Sequence, residues 1–173
     1  MSEKPQTPAP PPLPPEHSKD GLGSSLELDH GRLDELWDRA TEVWPSDRTG
    51  AVALFKEFHS GLLRHIQVEE ENLFPFYETR NPTPARHLTD LLREEHSEIR
   101  GSLERLMALV HAQEGSLEGS MTVLRNVLWT HNTREEGMLY PWFDEADDEG
   151  ALRLGREVRG RLSPARDEVS YPS

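Results

Sequence analysis

The sequence predicts an all-α protein: an antiparallel up-down-up-down four-helix bundle made of two αα-hairpin repeats. Three observations carry this expectation. Apolar residues recur at the 3.6-residue period of a helix over four long stretches. Short breaks rich in Pro, Gly and Asn separate those stretches, and no alternating strand pattern intervenes. The chain also resembles itself at an offset of 66 residues, since 96 minus 30 and 131 minus 65 are both 66.

Residues 1–23 hold seven of the 14 prolines and read as a disordered tail. The bundle is expected over 24–162, with a flexible C-terminus at 163–173. Ser24 and Glu27 have the spacing of a capping box, which starts a first helix from about Ser25 to Trp44. Its inward stripe is Leu26, His30, Leu33, Trp37 and Ala40. A loop at Pro45 to Gly50 leads to a second helix from about Ala51 to Tyr77, with stripe Phe58, Leu62, His65, Glu69 and Leu73. The turn Asn81-Pro82-Thr83-Pro84 precedes a third helix, about Ala85 to Gln113. Its stripe is Leu88, Leu92, His96, Ile99, Leu103, Leu106 and Val110. Glu114-Gly115 breaks it. The fourth helix runs from about Leu117 to Glu145, with stripe Met121, Leu124, Leu128, His131, Glu135 and Met138. A short fifth helix is expected over roughly 149–162.

Composition narrows the function. The chain has 173 residues, 34% of them hydrophobic, and a formal net charge of -13. That charge argues against nucleic acid or an anionic membrane as partner. With no cysteine, disulfides, thiolate metal sites and a Cys nucleophile are excluded. No apolar run reaches the length of a membrane span, and the N-terminus lacks a signal-peptide pattern, so a cytoplasmic protein is expected.

The repeat carries the chemistry. The segment HIQVEEENLFPFYE from His65 matches HNTREEGMLYPWFD from His131, position by position, as His-x-x-x-Glu-Glu-x-x-Leu-aromatic-Pro-aromatic-aromatic-acid. Residues at i and i+4 share one helix face, so His65 with Glu69, and His131 with Glu135, point inward together. His30 and His96 lie on the apolar stripes of the other two helices. Buried carboxylates are costly unless paired or metal-bound, and no Lys or Arg falls on these stripes. A lone His-x-x-x-Glu is ordinarily a surface pair. Its recurrence in register on core faces points to two cations held by His30, His65, Glu69, His96, His131 and Glu135. Imidazole with carboxylate suits iron, with zinc or manganese as substitutes.

These residues resemble the hemerythrin HHE cation-binding family. The resemblance rests on His30 in LELDHGRLDEL, the HxxxEExxLFP block at 65–75, EEH ahead of Ile99, and the block from His131 to Tyr140-Pro141. It covers roughly residues 25–145. It implies a four-helix bundle around an oxo- or hydroxo-bridged pair of irons, two per chain. It also implies the family's activities: reversible oxygen binding, or handling and sensing of iron, peroxide or nitric oxide. One departure bears on function. Oxygen-carrying members place two histidines four apart on the third helix, where this chain has Leu92 and Arg100 beside His96. One fewer imidazole leaves a more accessible centre, which favours peroxide chemistry, redox sensing or labile iron binding over pure oxygen carriage. In the carriers the fourth-helix carboxylate follows its His by five, which is Glu136 here; symmetry with Glu69 favours Glu135. Two function classes follow. One is a di-iron protein binding dioxygen, peroxide or nitric oxide, with peroxide reduction as its turnover. The other is a non-enzymatic iron, oxygen or redox sensor acting through a protein partner.

Other residues are set aside. Asp34 reads as a surface charge, and Glu70 and Glu136 as neighbours of the ligands or solvated. His17, His59, His87 and His111 do not share the inward face. Phe74, Phe76, Tyr140 and Trp142 are expected to shield the centre and fill the bundle end. Tyr77 and Tyr140 could supply a phenolate, with packing their simpler role. Pro75 and Pro141 each remove one backbone hydrogen bond, which predicts a local bend in both halves.

Overall fold

The computed structural model describes residues 21–81, 84–113 and 116–163. The tail expected at 1–23 lies outside them up to residue 20, as do the C-terminus from residue 164, Pro82-Thr83 and Glu114-Gly115. The described residues are helical throughout apart from short turns, with no strand among them. The helices are α1 (Leu22–Val43), α2 (Arg48–Val68), α3 (Phe74–Arg80), α4 (Pro84–Ala112), α5 (Glu118–Arg134), α6 (Tyr140–Glu145) and α7 (Glu149–Leu162). Two π-helical segments, Glu69–Leu73 and Glu135–Leu139, join α2 to α3 and α5 to α6 without a break. α1 packs on α2 and α6, α4 on α5, α2 on α4, and α7 against α2 and α1. No described helix is long and apolar enough to cross a membrane.

Three helix starts have identifiable causes. Asp47 caps α2 by accepting from the Gly50 N–H at 2.9 Å. This moves the start to Arg48, ahead of the expected Ala51. Asp148 caps α7 by accepting from the Gly150 and Ala151 N–H groups. α1 begins at Leu22 rather than Ser25, so Ser24 sits inside the first turn instead of ahead of it. There the Asp144 carboxylate, from α6, accepts from the Gly23 N–H at 2.7 Å and the Ser24 N–H at 3.3 Å. A cap borrowed from 120 residues away is invisible to a local motif. Asp144→Ala is expected to cost about 0.5–2 kcal/mol, read as a lowered midpoint in urea unfolding with an unchanged slope.

Gly23 also serves close packing. A Cβ there would lie 2.6 Å from the Tyr140 carbonyl oxygen and 2.9 Å from the Tyr140 Cβ. The start of α1 can approach the Tyr140 backbone only because no side chain intervenes.

The core falls into two apolar clusters. One joins Leu33, Trp37, Phe55, Phe58, Leu62, Leu103 and Leu124, among others. The second joins Leu26, Val68, Phe74, Leu92, Tyr140, Phe143 and Val158. Between their memberships fall the buried polar residues His30, His65, Glu69, His96, His131 and Glu135. The inward stripes hold, with one correction. Met138 is 60% exposed, and Leu139 is buried in its place. The π segment is the reason: its wider turn shifts the register after Glu135, as it does for Leu73 after Glu69.

Candidate metal centre

The π segments position the carboxylates. In each, the N–H of the residue before proline reaches back five residues: Phe74 to the Glu69 carbonyl, Tyr140 to the Glu135 carbonyl. Pro75 and Pro141 have no N–H to continue the tighter ladder, so the backbone widens there. This is the form taken by the bend expected near both prolines. One widened turn lets two successive glutamates serve one centre. Glu69 and Glu135 turn fully inward, while Glu70 and Glu136 reach the flanking histidines.

All six residues singled out in the sequence come together. The His30 and His65 Nε2 atoms are 3.0 Å apart, and those of His96 and His131 are 3.2 Å apart. Glu69 lies between the pairs, with Oε1 3.3 Å from His65 Nε2 and Oε2 3.3 Å from His96 Nε2. Glu135 places Oε2 3.2 Å from His131 Nε2 and 3.6 Å from His30 Nε2, with Oε1 4.0 Å from His96 Nε2. Two groupings have donor atoms close enough to share a cation: Glu69, His96, His131 and Glu135, and His30, His65 and Glu135.

The outer ring nitrogens complete the arrangement. His30 Nδ1 is 2.9 Å from Glu136, His65 Nδ1 is 3.0 Å from Asp29, His96 Nδ1 is 2.9 Å from Glu70, and His131 Nδ1 is 3.1 Å from Glu95. A carboxylate on each Nδ1 fixes the tautomer that leaves Nε2 free to face the centre. Three of these carboxylates are themselves held: Asp29 by Arg32, Glu70 by both nitrogens of Arg100, and Glu95 by Arg134. Glu136, 43% exposed, has no such clamp among the described residues. It borders a groove of about 510 Å³ between α1 and α5, lined also by Asp34, Trp37, Phe58 and Trp129.

Charge and burial oppose each other here. Burial pushes the His65 imidazole down, but the Glu69 charge and the bond to Asp29 push it up to about 10. His96 and His131 are raised in the same way, against burial, by the inward carboxylates and by Glu70 at His96. Glu69 is held well below the usual range despite burial, by His65 and His96. Without a metal, His65 therefore keeps its proton at neutral pH.

Several roles were not legible beforehand. Asp29 and Glu95 each precede a ligand-type His by one residue, at the 66-residue offset, and that recurrence was the available signal. Each serves a histidine on the neighbouring helix, which no local pattern reveals. Arg100 was noted only as the residue standing where oxygen carriers have a second His; it clamps Glu70. Glu136 supports His30 and Glu135 occupies the centre, the disposition that symmetry favoured. Tyr140 does more than pack: its hydroxyl donates to Glu69 Oε1 at 2.7 Å and lies 3.0 Å from Glu135 Oε2. At the matching offset Phe74 stacks on His96, ring centroids 5.6 Å apart. His59 is half-buried and His87 and His111 are exposed, away from the centre; His17 lies outside the described residues.

Searches of curated proteins and of solved structures returned no match. The family model of the hemerythrin HHE cation-binding domain matches residues 23–143, well over half of the chain and spanning every residue of the cluster. The chain therefore belongs to the hemerythrin HHE cation-binding family.

Proposed function

We propose that this chain is a cytoplasmic non-heme di-iron protein that binds dioxygen or a related small oxidant, peroxide or nitric oxide, with peroxide reduction as its turnover. His30, His65, Glu69, His96, His131 and Glu135 hold the metals, within two αα-hairpins arranged as an up-down-up-down bundle. The observation that carries the reading is a pair of buried carboxylate oxygens, Glu69 Oε2 and Glu135 Oε1, that accept no hydrogen bond. Orphaned buried acceptors are costly and ask for a cation.

The imidazoles fit the same cation. Once the imidazole protons are displaced, with each Nδ1 donating to a carboxylate, each Nε2 presents its lone pair toward its partner, where a cation can accept both. The Nε2 atoms face one another in two pairs, 3.0 Å and 3.2 Å apart, each pair within the reach of one cation. Iron, when bound, supplies reversible electron transfer and positions at which a small oxidant can bind. The chain's own residues do the rest. Glu69 and Glu135 offset the cationic charge and hold the separation of the two positions. Asp29, Glu70, Glu95 and Glu136 orient the imidazoles. Phe74, stacked on His96, excludes water from one side.

Elemental analysis of the purified chain with an absorption spectrum in air tests this. About two irons per chain, with charge-transfer bands in the near-ultraviolet, are expected for such a bundle site. A chain that takes up no iron even after anaerobic ferrous loading overturns the proposal. One feature also suits a sensor: the polar cluster separates two apolar clusters. Metal occupancy would then alter the stability of both, which a protein partner could read.

A further inference from the structure

The two halves of the centre match in their histidines and carboxylates but not in their donor count. The His96–His131 pair has both Glu69 and Glu135 within sharing distance, four donors in all. The His30–His65 pair forms such a group with Glu135, and Glu69 Oε1 lies 3.3 Å from His65 Nε2. Into that half projects the Tyr140 hydroxyl, 3.2 Å from His30 Nε2, 3.4 Å from His65 Nε2 and 3.0 Å from Glu135 Oε2. The residue is fully buried. Its oxygen is a fifth protein donor beside the pair, after His30, His65, Glu135 and Glu69, and it lies about as far from each imidazole nitrogen as those nitrogens lie from each other.

The other half lacks this donor. Phe74, 66 residues earlier and also fully buried, lies nearly parallel to His96, with 11° between the ring planes. A phenyl ring offers no ligand atom. The remaining tyrosine among the described residues, Tyr77, packs against Trp142 at 4.9 Å instead.

We propose that the Tyr140 oxygen is a seventh protein ligand of the centre, bound as phenolate to the metal of the His30–His65 pair, its hydroxyl proton being released to solvent as the metal binds. The two metal positions are then inequivalent. The His30–His65 position is filled by its own chain, and an exogenous oxidant is directed to the His96–His131 position beside Phe74. This rests on the di-iron reading above and adds a distinction between the two irons.

Phenolate bound to ferric iron absorbs in the visible region and gives tyrosinate vibrations in resonance Raman. The experiment loads the full chain with iron, oxidises it, and records metal content and both spectra for the wild type, Tyr140→Phe, Tyr77→Phe and Tyr171→Phe. The expected result is a visible band with tyrosinate modes in the wild type. Tyr77→Phe and Tyr171→Phe should keep it. Tyr140→Phe should lose it while still binding iron through the other six residues. Two irons per wild-type chain without tyrosinate modes would overturn this inference and leave the di-iron reading standing. Failure to bind iron at all would sink the di-iron reading instead. If Tyr140→Phe does not fold, the wild-type spectrum with the two other variants still decides. Azide added to the ferric protein should bring its own band and leave the phenolate band in place. Displacement of the phenolate band would overturn the placement of the exogenous ligand.

Discussion

Glu69→Gln is expected to cut the iron content from about two per chain to none and so to erase the gain in melting temperature on loading. The carboxylate has one oxygen toward His65 and the other toward His96, so its charge serves both positions. The amide has nearly the same shape, no charge, and an NH2 group where an acceptor is needed. The wild type should gain about 2.7 kcal/mol when free metal stands at a hundredfold excess over its dissociation constant. The variant should gain nothing measurable. Breaking a buried ion pair costs about 3–5 kcal/mol when the orphaned charge is trapped. The metal-free variant should lose less than that, because His65 and His96 can each release a proton. A purely structural centre gives another pattern: neither protein binds metal, and chelator shifts neither melting curve. Differential scanning calorimetry with and without chelator, beside elemental analysis, separates the two.

The helices were legible because burial imposes a 3.6-residue period on every inward stripe, ligands included. His30 and Leu33 sit on the same face for the same geometric reason. The six cluster residues were legible because each half of the chain repeats the pattern of the other. What escaped was set by contacts distant in sequence or by backbone that departs from the α ladder. Asp144 reaches α1 across 121 residues, so the true start of that helix could not be read from Ser24. Met138 was placed inward by counting in α-helical steps, and the π segment broke the count. Asp29 and Glu95 look solvated when each helix is drawn alone, since each lies one residue before a core histidine. Their partners, His65 and His131, come from the next helix. The difference between Tyr140 and Phe74 was written in the repeat. Its meaning needed the phenol oxygen to be placed among the carboxylates.

The metal-free protein is expected to lose stability as pH rises from about 6.5 to 10, the opposite of its metal affinity. His65 is raised to about 10 from an ordinary 6.5. Below 6.5 both the folded and unfolded states hold that proton, and its contribution to stability is fully present. Between 6.5 and 10 the unfolded chain has released it while the folded chain keeps it. The folded state then binds more protons, and stability falls with pH. On the acid side the sign reverses. Glu69 keeps its charge well below its ordinary 4.5 in the folded chain, so its contribution is present above 4.5 and fades as pH drops further. The metal-free chain should therefore be most stable between about 4.5 and 6.5, as far as this pair decides. Metal must displace the imidazole protons, so loading tightens across the interval in which the metal-free fold weakens. Melting curves of chelator-treated protein from pH 5 to 10 test the first half of this argument. Proton release on adding manganese, measured by calorimetry in buffers of different ionisation enthalpy, tests the second. Glu69→Gln is the control, because it removes the charge that raises His65 while leaving the rest of the acidic surface unchanged. Its metal-free melting temperature should depend less on pH above 6.5 than that of the wild type. A wild-type curve that is flat or rising through that interval would mean that the carboxylates do not hold protons on the histidines, and that the centre is not charged as its geometry requires.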